Sequence, residues 1–384
     1  MTTVRVSRKG AARWAGGHPW IYRSDTLDAV PDPGVVRVVD PRGRFLGQAL
    51  HSPASEIRLR LLEPTERPVD PAWWREQIGR CAARRAGIDA TACRIVHGEG
   101  DGLPSLVVDR YDRWLVVQLL SAGLETMRET VLDALQEVLT PEGILLRHDA
   151  SVRRHEKLPE GIELARGEVP EQVEVREGGV RYLAAPWTGQ KTGAFLDQRV
   201  NRVLTGELAR DGGRALDCFA YHGSFALHLA RRSAQVIALD ASEEALARGR
   251  ANAALNGMTN IDWQLGNAFD VLAELDRAGE RFDTVVVDPP AFAKSRQAVE
   301  AALRGYHEIN RRAIRLLAPG GVLVTASCSF HIGRPAFEEM LLGAAQDAGR
   351  PLTVLARLAQ SEDHPEILTI PETAYLKGLA LRAE

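Results

Sequence analysis

"RALDCFAYHGSFALHLAR", residues Arg214–Arg231, is the stretch whose reading decides the fold. "RALDCF" is short and apolar, as a buried strand is, and "AYHGSFALHLAR" reads as a loop running into a helix. Asp217 closes the strand, and Gly223 lets the backbone turn tightly where the helix starts. Outward from this unit the same alternation recurs, with "QVIALD" (235–240), "IDWQL" (261–265), "DTVVVD" (283–288) and "VLVTAS" (322–327) separated by helical patterns. Buried apolar strands alternating with helices predict an α/β fold, a parallel sheet covered on both faces. In such sheets ligands bind outside the carboxyl ends of the strands. The unusual residues of this chain cluster there.

The preceding sequence differs. Residues 1–68 are β-like, with "GVVRVVD" (34–40) and "EIRLRLL" (56–62) punctuated by "PDPG" and "PRG" turn signals. "ERPVDP" (66–71) is a Pro-rich break. Residues 69–183 mix a helix, "AWWREQIGRCAARRAG" (72–87), with strands "SLVVDRY" (105–111), "WLVVQLL" (114–120) and "GILLRHD" (143–149), which predicts a small α+β module. The α/β alternation fills 184–384. With 384 residues and 45% hydrophobic content, two or three packed domains are expected.

The four cysteines show no paired spacing, which argues against zinc and disulfides and for a reducing, cytoplasmic setting. No metal site is expected. No signal peptide is expected from the first twenty residues, and no apolar run of membrane-spanning length exists, so no membrane is expected as a partner. The net charge of −3 hides a basic N-terminal arm, in which Arg5, Arg8, Lys9 and Arg13 precede the first acid. That arm suits a polyanion. A solvated surface is the plain alternative.

Asp240 ends the second α/β strand, about 20 residues beyond Asp217, where an acid is placed to accept from ribose hydroxyls. Ser242, not Asp240, suits the cap of the helix that comes after it. The loop after Asp217 carries Phe219, Tyr221 and His222, too bulky for a pyrophosphate but compatible with a nucleoside ligand such as S-adenosylmethionine. Asn267, after the third strand, offers a carbonyl oxygen to an adenine amine, or serves as a turn residue.

"FDTVVVDPPAFAKS" (282–295) delivers Asp288 to the sheet edge, and Pro289 and Pro290 stiffen the next turns. The neighbouring strand brings up Cys328 in "TASCS" (325–329), past the apolar run and between two hydroxyls. Alone, it would pass for a small core hydrophobe. Beside an acid at a strand tip it reads as a nucleophile. Carbon 5 of cytosine is too weak a nucleophile to take a methyl group directly. A thiolate added at carbon 6 makes carbon 5 enamine-like, with Asp288 assisting at ring nitrogen 3, and the base must leave its stack to reach the pocket.

Together "GHPWIYRS" (17–24), "GEGDGLPSLVVDRY" (98–111), "TGQKTGAFLDQR" (188–199), "LDCFAYHGSF" (216–225), "DPPAFAKS" (288–295), "TASCS" and "PETAYLKGL" (371–379) resemble the RlmI-type family. These are S-adenosylmethionine-dependent methyltransferases that make 5-methylcytosine in large-subunit (23S) ribosomal RNA. The resemblance implies a small β-barrel-like PUA RNA-binding domain at 1–68, a strand–strand–helix–strand–strand module at 69–183, and a Rossmann-like class I methyltransferase domain with a mostly parallel seven-stranded sheet and a terminal antiparallel hairpin. It further implies cofactor contacts from Lys191, Phe195, Asp197 and Arg199, joined by Asp217, Phe219, Gly223, Phe225, Asp240, Ala241, Asn267, Asp288 and Pro289. Asp stands in many members where this chain has Asn267. The related guanine-modifying branch lacks a cysteine at the position of Cys328.

Lesser candidates are Lys294 and the basic run "RHDASVRRHEK" (147–157) for RNA, and His18, expected to pack beside Trp20. Cys81, Cys93 and Cys218 are expected in cores. A homodimer is one assembly the reading admits. Two other functions remain open at this point: methylation of guanine or an exocyclic amine with Cys328 idle, and a non-catalytic PUA-type RNA-binding assembly factor.

Overall fold

The computed structural model describes residues 1–293 and 295–384. Lys294, a candidate RNA contact, lies outside them. The chain forms two compact units, each assembled from three stretches: Met1–Val175, Ala184–Leu196 and Glu362–Thr373 in the first, Arg176–Leu183, Asp197–Ser361 and Ala374–Glu384 in the second.

The first unit begins with β1 (Thr3–Arg5), α1 (Arg8–Ala15), β2 (Trp20–Tyr22), β3 (Gly34–Val39), β4 (Phe45–His51) and β5 (Ile57–Glu63). The strands pair in the order β1-β3-β4-β5-β2, parallel only between β1 and β3. An antiparallel bridge joins Val6 to Thr26, just beyond the two edge strands, and so bends the sheet toward a barrel. Closing the edges removes unpaired backbone groups. Ser7 caps α1 by accepting from the Gly10 N–H at 3.1 Å, and Val4, Val6, Trp14, Ile21, Val38 and Leu59 fill the interior.

A second sheet of this unit comes after α2 (Pro71–Arg85). It consists of β6 (Ala92–His97), β7 (Leu106–Tyr111), β8 (Trp114–Leu119), β9 (Gly143–Arg147) and β10 (Ile162–Gly167), with α3 (Ala122–Glu125), α4 (Arg128–Leu139) and α5 (Val152–His155) between the later strands. Their spatial order is β10-β9-β8-β7-β6. Three strands lead into the helices, where the resemblance implied two. Asp70 caps α2 at 2.9 Å, and Trp73, Trp74, Ile78 and Cys81 pack with Val131 and Leu135 onto Ile95, Val108, Val117 and Ile144.

The basic run at 147–157 is corrected in part. Arg147 is buried and donates to the carbonyls of Pro186 at 2.6 Å and Gly189 at 3.1 Å. Arg153 is fully buried, donating to the Leu119 carbonyl and to Glu125. Both guanidinium groups satisfy internal acceptors, so neither lines an RNA path. His18 packs edge-on to Trp20, with ring centroids 5.4 Å apart, as expected.

A ribbon of β11 (Val173–Glu177) and β12 (Val180–Ala184) precedes the large sheet of the second unit. That sheet is built from β13 (Arg214–Cys218), β14 (Gln235–Asp240), β15 (Ile261–Leu265), β16 (Phe282–Val287), β17 (Leu317–Ser327), β18 (Leu352–Leu358) and β19 (Lys377–Ala383), in the order β15-β14-β13-β16-β17-β19-β18. The first five strands run parallel, and β19 and β18 are antiparallel. This is the Rossmann-like sheet the alternation predicts, ending in the antiparallel hairpin the resemblance implied.

Helices α6 (Arg199–Leu208), α7 (Ser224–Ala230), α8 (Glu243–Leu255), α9 (Ala268–Arg277), α10 (Val299–Arg315) and α11 (Arg334–Ala348) cover the faces. Successive strand residues point to opposite faces, and here both faces are apolar. Leu216, Ile237, Leu239, Val285, Val287 and Leu323 join one core with Ile309, Phe337 and Leu341. Ala215, Val236, Ala238, Val286, Val322 and Val324 join the other with Phe225 and Leu229. Among the described residues no helix is long and apolar enough to cross a membrane.

Candidate active site at the strand tips

The carboxyl ends of β13, β14 and β16 each deliver an acid to one edge of the sheet. Asp217 is buried; its Oδ2 accepts from the Ala226 N–H at 2.9 Å, while Oδ1 is buried and accepts from no group among the described residues. Burial pushes its carboxyl well above the ordinary carboxylate range, and the charges of Asp288 and Asp240 push it further. The three acids therefore share one electrostatic environment. Asp240 accepts from the Tyr221 N–H at 2.8 Å and the Ser242 N–H at 2.9 Å, and Ser242 itself caps α8. Each oxygen of Asp240 keeps a second lone pair. Asp288 lies just past β16, half-buried, with Pro289 buried behind it.

The loop from β13 to α7 is held in left-handed backbone at Phe219 (φ 67°), Tyr221 (φ 51°) and Gly223 (φ 83°). Such strain in non-glycine residues costs of order 1–3 kcal/mol each and collects at ligand sites. At Gly223 a Cβ would also stand 2.3 Å from the Trp263 ring. His222 is buried, and desolvation beside Arg202 and Arg248 pulls its imidazole down to about 3, so it is neutral near pH 7.

Other expected contacts fall out differently. Phe225 is buried in the apolar cluster with Val286 and Val324, and so belongs to the core. Asn267 is exposed and its Oδ1 caps α9, accepting from the Phe269 N–H at 2.9 Å; the turn reading describes what that oxygen does. Ala241 is exposed next to Asp240. Lys191 and Phe195 lie in the 184–196 stretch of the first unit, the ammonium 4.7 Å from the ring centroid. Asp197 and Arg199 lie in the second unit, both buried, with Asp197 Oδ2 accepting from the Tyr375 hydroxyl at 2.8 Å.

Cys328 stands one residue beyond β17, half-exposed, whereas Cys81, Cys93 and Cys218 are buried. Its flanking hydroxyls are engaged: Ser327 Oγ donates to the Tyr306 hydroxyl at 3.0 Å, and Ser329 Oγ lies 2.9 Å from the same oxygen. β16 and β17 are hydrogen-bonded neighbours, with Val287 opposite Thr325, so Asp288 and Cys328 leave adjacent strand tips. Sequence reasoning missed Lys377, whose Nζ donates to the Ser329 carbonyl at 2.6 Å. It lies within the quoted segment "PETAYLKGL" (371–379), but nothing local ties it to Cys328, because β19 brings it in from far along the chain.

A surface cavity of about 460 Å³ in the N-terminal part of the first unit is lined by Arg8, Ala11, Ala12 and Ala15 of α1 and by Arg42 and Arg44. It adds two arginines to the expected basic arm, one of them, Arg44, paired at 3.2 Å with Asp40 of the same lining. Lys9 is exposed on the same helix, and Arg13 lies over the Tyr22 ring at 4.6 Å. Arg5 is engaged with Asp28 at 2.8 Å, which offsets its charge.

A family profile described as S-adenosylmethionine-dependent methyltransferase matches residues 93–382, and one described as PUA-like domain matches residues 4–64. A Ribosomal RNA large subunit methyltransferase I from Tolumonas auensis is 38% identical over 395 residues, covering 100% of this chain and 99% of its own. The chain belongs to the ribosomal RNA large subunit methyltransferase I family. A second relative in that family, from Salmonella arizonae, is 37% identical over 95% of this chain and 93% of its own. The cofactor of the family is S-adenosylmethionine.

Among solved structures, a SAM-dependent methyltransferase from Streptococcus mutans shares the fold with a TM-score of 0.83 at 20% identity over 100% of both chains. Another, a methyltransferase complexed with SAH, gives a TM-score of 0.85 over 100% of both chains, also at 20% identity. The strand-tip residues fit the cofactor chemically. S-adenosylmethionine brings hydroxyl donors, and the three acids, with the unmet oxygen of Asp217, supply acceptors for them.

Proposed function

We propose that this chain methylates carbon 5 of a cytosine in 23S ribosomal RNA, in the cytoplasm, with Cys328 as nucleophile and Asp288 at ring nitrogen 3. The observation that carries the reading is that Cys328 alone of the four cysteines is half-exposed, at the strand tip next to that of Asp288. The RNA substrate is supported by the names of the relatives that match the whole chain. The reading divides the chain into 1–68 for RNA grip, a central module at 69–183, and 184–384 for catalysis. Asp217, Asp240 and the Phe219–Gly223 loop would hold the cofactor, with Asp197, Arg199, Lys191 and Phe195 as further contacts.

When bound, S-adenosylmethionine supplies the methyl group that carbon 5 takes. The Cys328 thiolate forms a bond to carbon 6, and the carbon 5–carbon 6 π pair moves to carbon 5. Asp288, by donating to ring nitrogen 3, spreads that negative charge. A base then takes the carbon 5 proton, the freed pair restores the double bond, and the sulfur leaves as thiolate.

Incubation with labelled cofactor and protein-free large-subunit RNA, then digestion to nucleosides, should give labelled 5-methylcytidine. Cys328→Ala should lower the rate by roughly 10³-fold or more while leaving cofactor affinity intact. Label in a guanine or an exocyclic amine, surviving in Cys328→Ala, would overturn the cytosine reading. Absence of any S-adenosylmethionine binding in calorimetry would favour a non-catalytic RNA-binding role.

A further inference from the structure

We infer that Lys377 is a positioning residue that holds the Cys328 sulfur in its anionic, attacking form, an inference that rests on the reading of Cys328 as nucleophile. Lys377 opens β19 directly across from Ser327 in the antiparallel register. Its side chain is buried, only 5% exposed. The ammonium donates to two backbone carbonyls, Ser329 at 2.6 Å and Tyr375 at 3.0 Å.

Those two oxygens are neutral, and among the described residues no carboxylate forms an ion pair with Lys377. A buried ammonium without an anion is costly, several kcal/mol after relaxation. The anion that its surroundings offer is the sulfur of Cys328, the residue next to Ser329. Burial pulls the Lys377 ammonium down to about 8, the Cys328 thiolate pulls it up, and the Arg334 guanidinium pulls it down. The influence is reciprocal: whatever the thiolate does to favour the ammonium, the ammonium does equally to favour the thiolate.

The other groups facing this pair have defined places. Tyr306 of α10 is hydrogen-bonded to both Ser327 and Ser329, and burial raises its hydroxyl so that it stays neutral. Arg334 of α11 adds positive charge, its Nη2 donating to the Leu358 carbonyl at 2.9 Å. Asp288 leaves the neighbouring strand tip of β16 and carries the proton that the cytosine reading asks it to donate. Tyr306 thus holds the hydroxyls on both sides of the sulfur, and Lys377 holds the Ser329 carbonyl beside it. A lysine serving only to tie two strand ends would leave the sulfur's protonation unchanged.

The test is the rate of iodoacetamide alkylation of Cys328 against pH, in the full-length protein, resolved by peptide mass spectrometry. The other three cysteines are buried, and neither RNA nor cofactor is needed. Lys377→Gln should move the midpoint of the curve upward by about one pH unit, a roughly tenfold slower reaction near pH 7, and Lys377→Arg should restore a low midpoint. An unchanged midpoint in folded Lys377→Gln would overturn the inference. If that variant does not fold, the reciprocal measurement decides: Cys328→Ser should shift the Lys377 titration downward, tracked by ¹³C NMR of the reductively methylated lysine, and no shift would overturn it. A shifted midpoint without 5-methylcytidine formation would instead sink the cytosine reading and leave the sulfur–ammonium coupling standing.

Discussion

Asp217 shows how one side chain can be poor for stability and good for binding. Its carboxyl is buried, has one unmet oxygen and faces two other acids. Its folded value lies above the unfolded one, so between those two values the folded state binds more protons. Stability from this group is accordingly lost as pH rises through that window. Asp217→Asn removes the ionisation, and the cofactor-free variant should be more stable than the parent at pH 8 by about 1 kcal/mol or more. The same variant should lose most of the stabilisation that added S-adenosylmethionine gives the parent. Thermal melts at pH 5 and pH 8, with and without cofactor, check both halves. At this scale the sequence marked Asp217, Asp240, Asp288 and Cys328 as strand-tip residues because each ends an apolar run. It could not mark Lys377, which is 48 positions from Ser329 and meets it only through strand pairing. Phe225, second residue of α7, packs in the core, and an aromatic at a helix start looks the same in sequence whether it faces a ligand or the core.

At the scale of elements, the turn from β13 into α7 carries the tightest steric requirement. Gly223 has φ 83° and a ring of Trp263 where a side chain would go. Gly223→Ala should cost several kcal/mol, since left-handed backbone alone costs about 1–2 kcal/mol for a residue with a Cβ and the Trp263 clash adds to it. Denaturant unfolding checks the stability loss, and calorimetry with S-adenosylmethionine should show weakened binding as the loop shifts. The strands of this sheet were legible because both faces are buried, which writes near-continuous apolar runs into the sequence. The glycine was legible as a turn, but its partner Trp263 was not, because nothing local ties a loop to the next strand but one. Arg147 and Arg153 were misread for a related reason. A run of positive residues looks solvated until the carbonyls that bind them are seen.

For the molecule as a whole, the charge distribution matters more than its sum. A net charge of −3 gives no reason to expect RNA binding, yet Arg8, Arg42 and Arg44 line one cavity beside α1. Replacing all three with Ala should weaken RNA binding without changing cofactor affinity. It should also flatten the dependence of log affinity on log salt by roughly 0.7–0.9 per lost phosphate contact. Filter binding across a salt series measures both. Arg42 and Arg44 escaped sequence reading because they fall in a turn, after the basic arm had ended.

The way the two units are cut from the chain has its own implication. Each gathers three separate stretches, so the polypeptide passes from one to the other five times. No single pair of scissors can therefore excise either unit whole. A fragment begun at residue 184 lacks Arg176–Leu183 of the second unit, while it carries Ala184–Leu196 and Glu362–Thr373, which belong to the first. Gene shuffling can trade such an arrangement only as one inheritance, and a ribosome must pass Glu362 before the first unit has any of its third piece, and Ala374 before the second has any of its own.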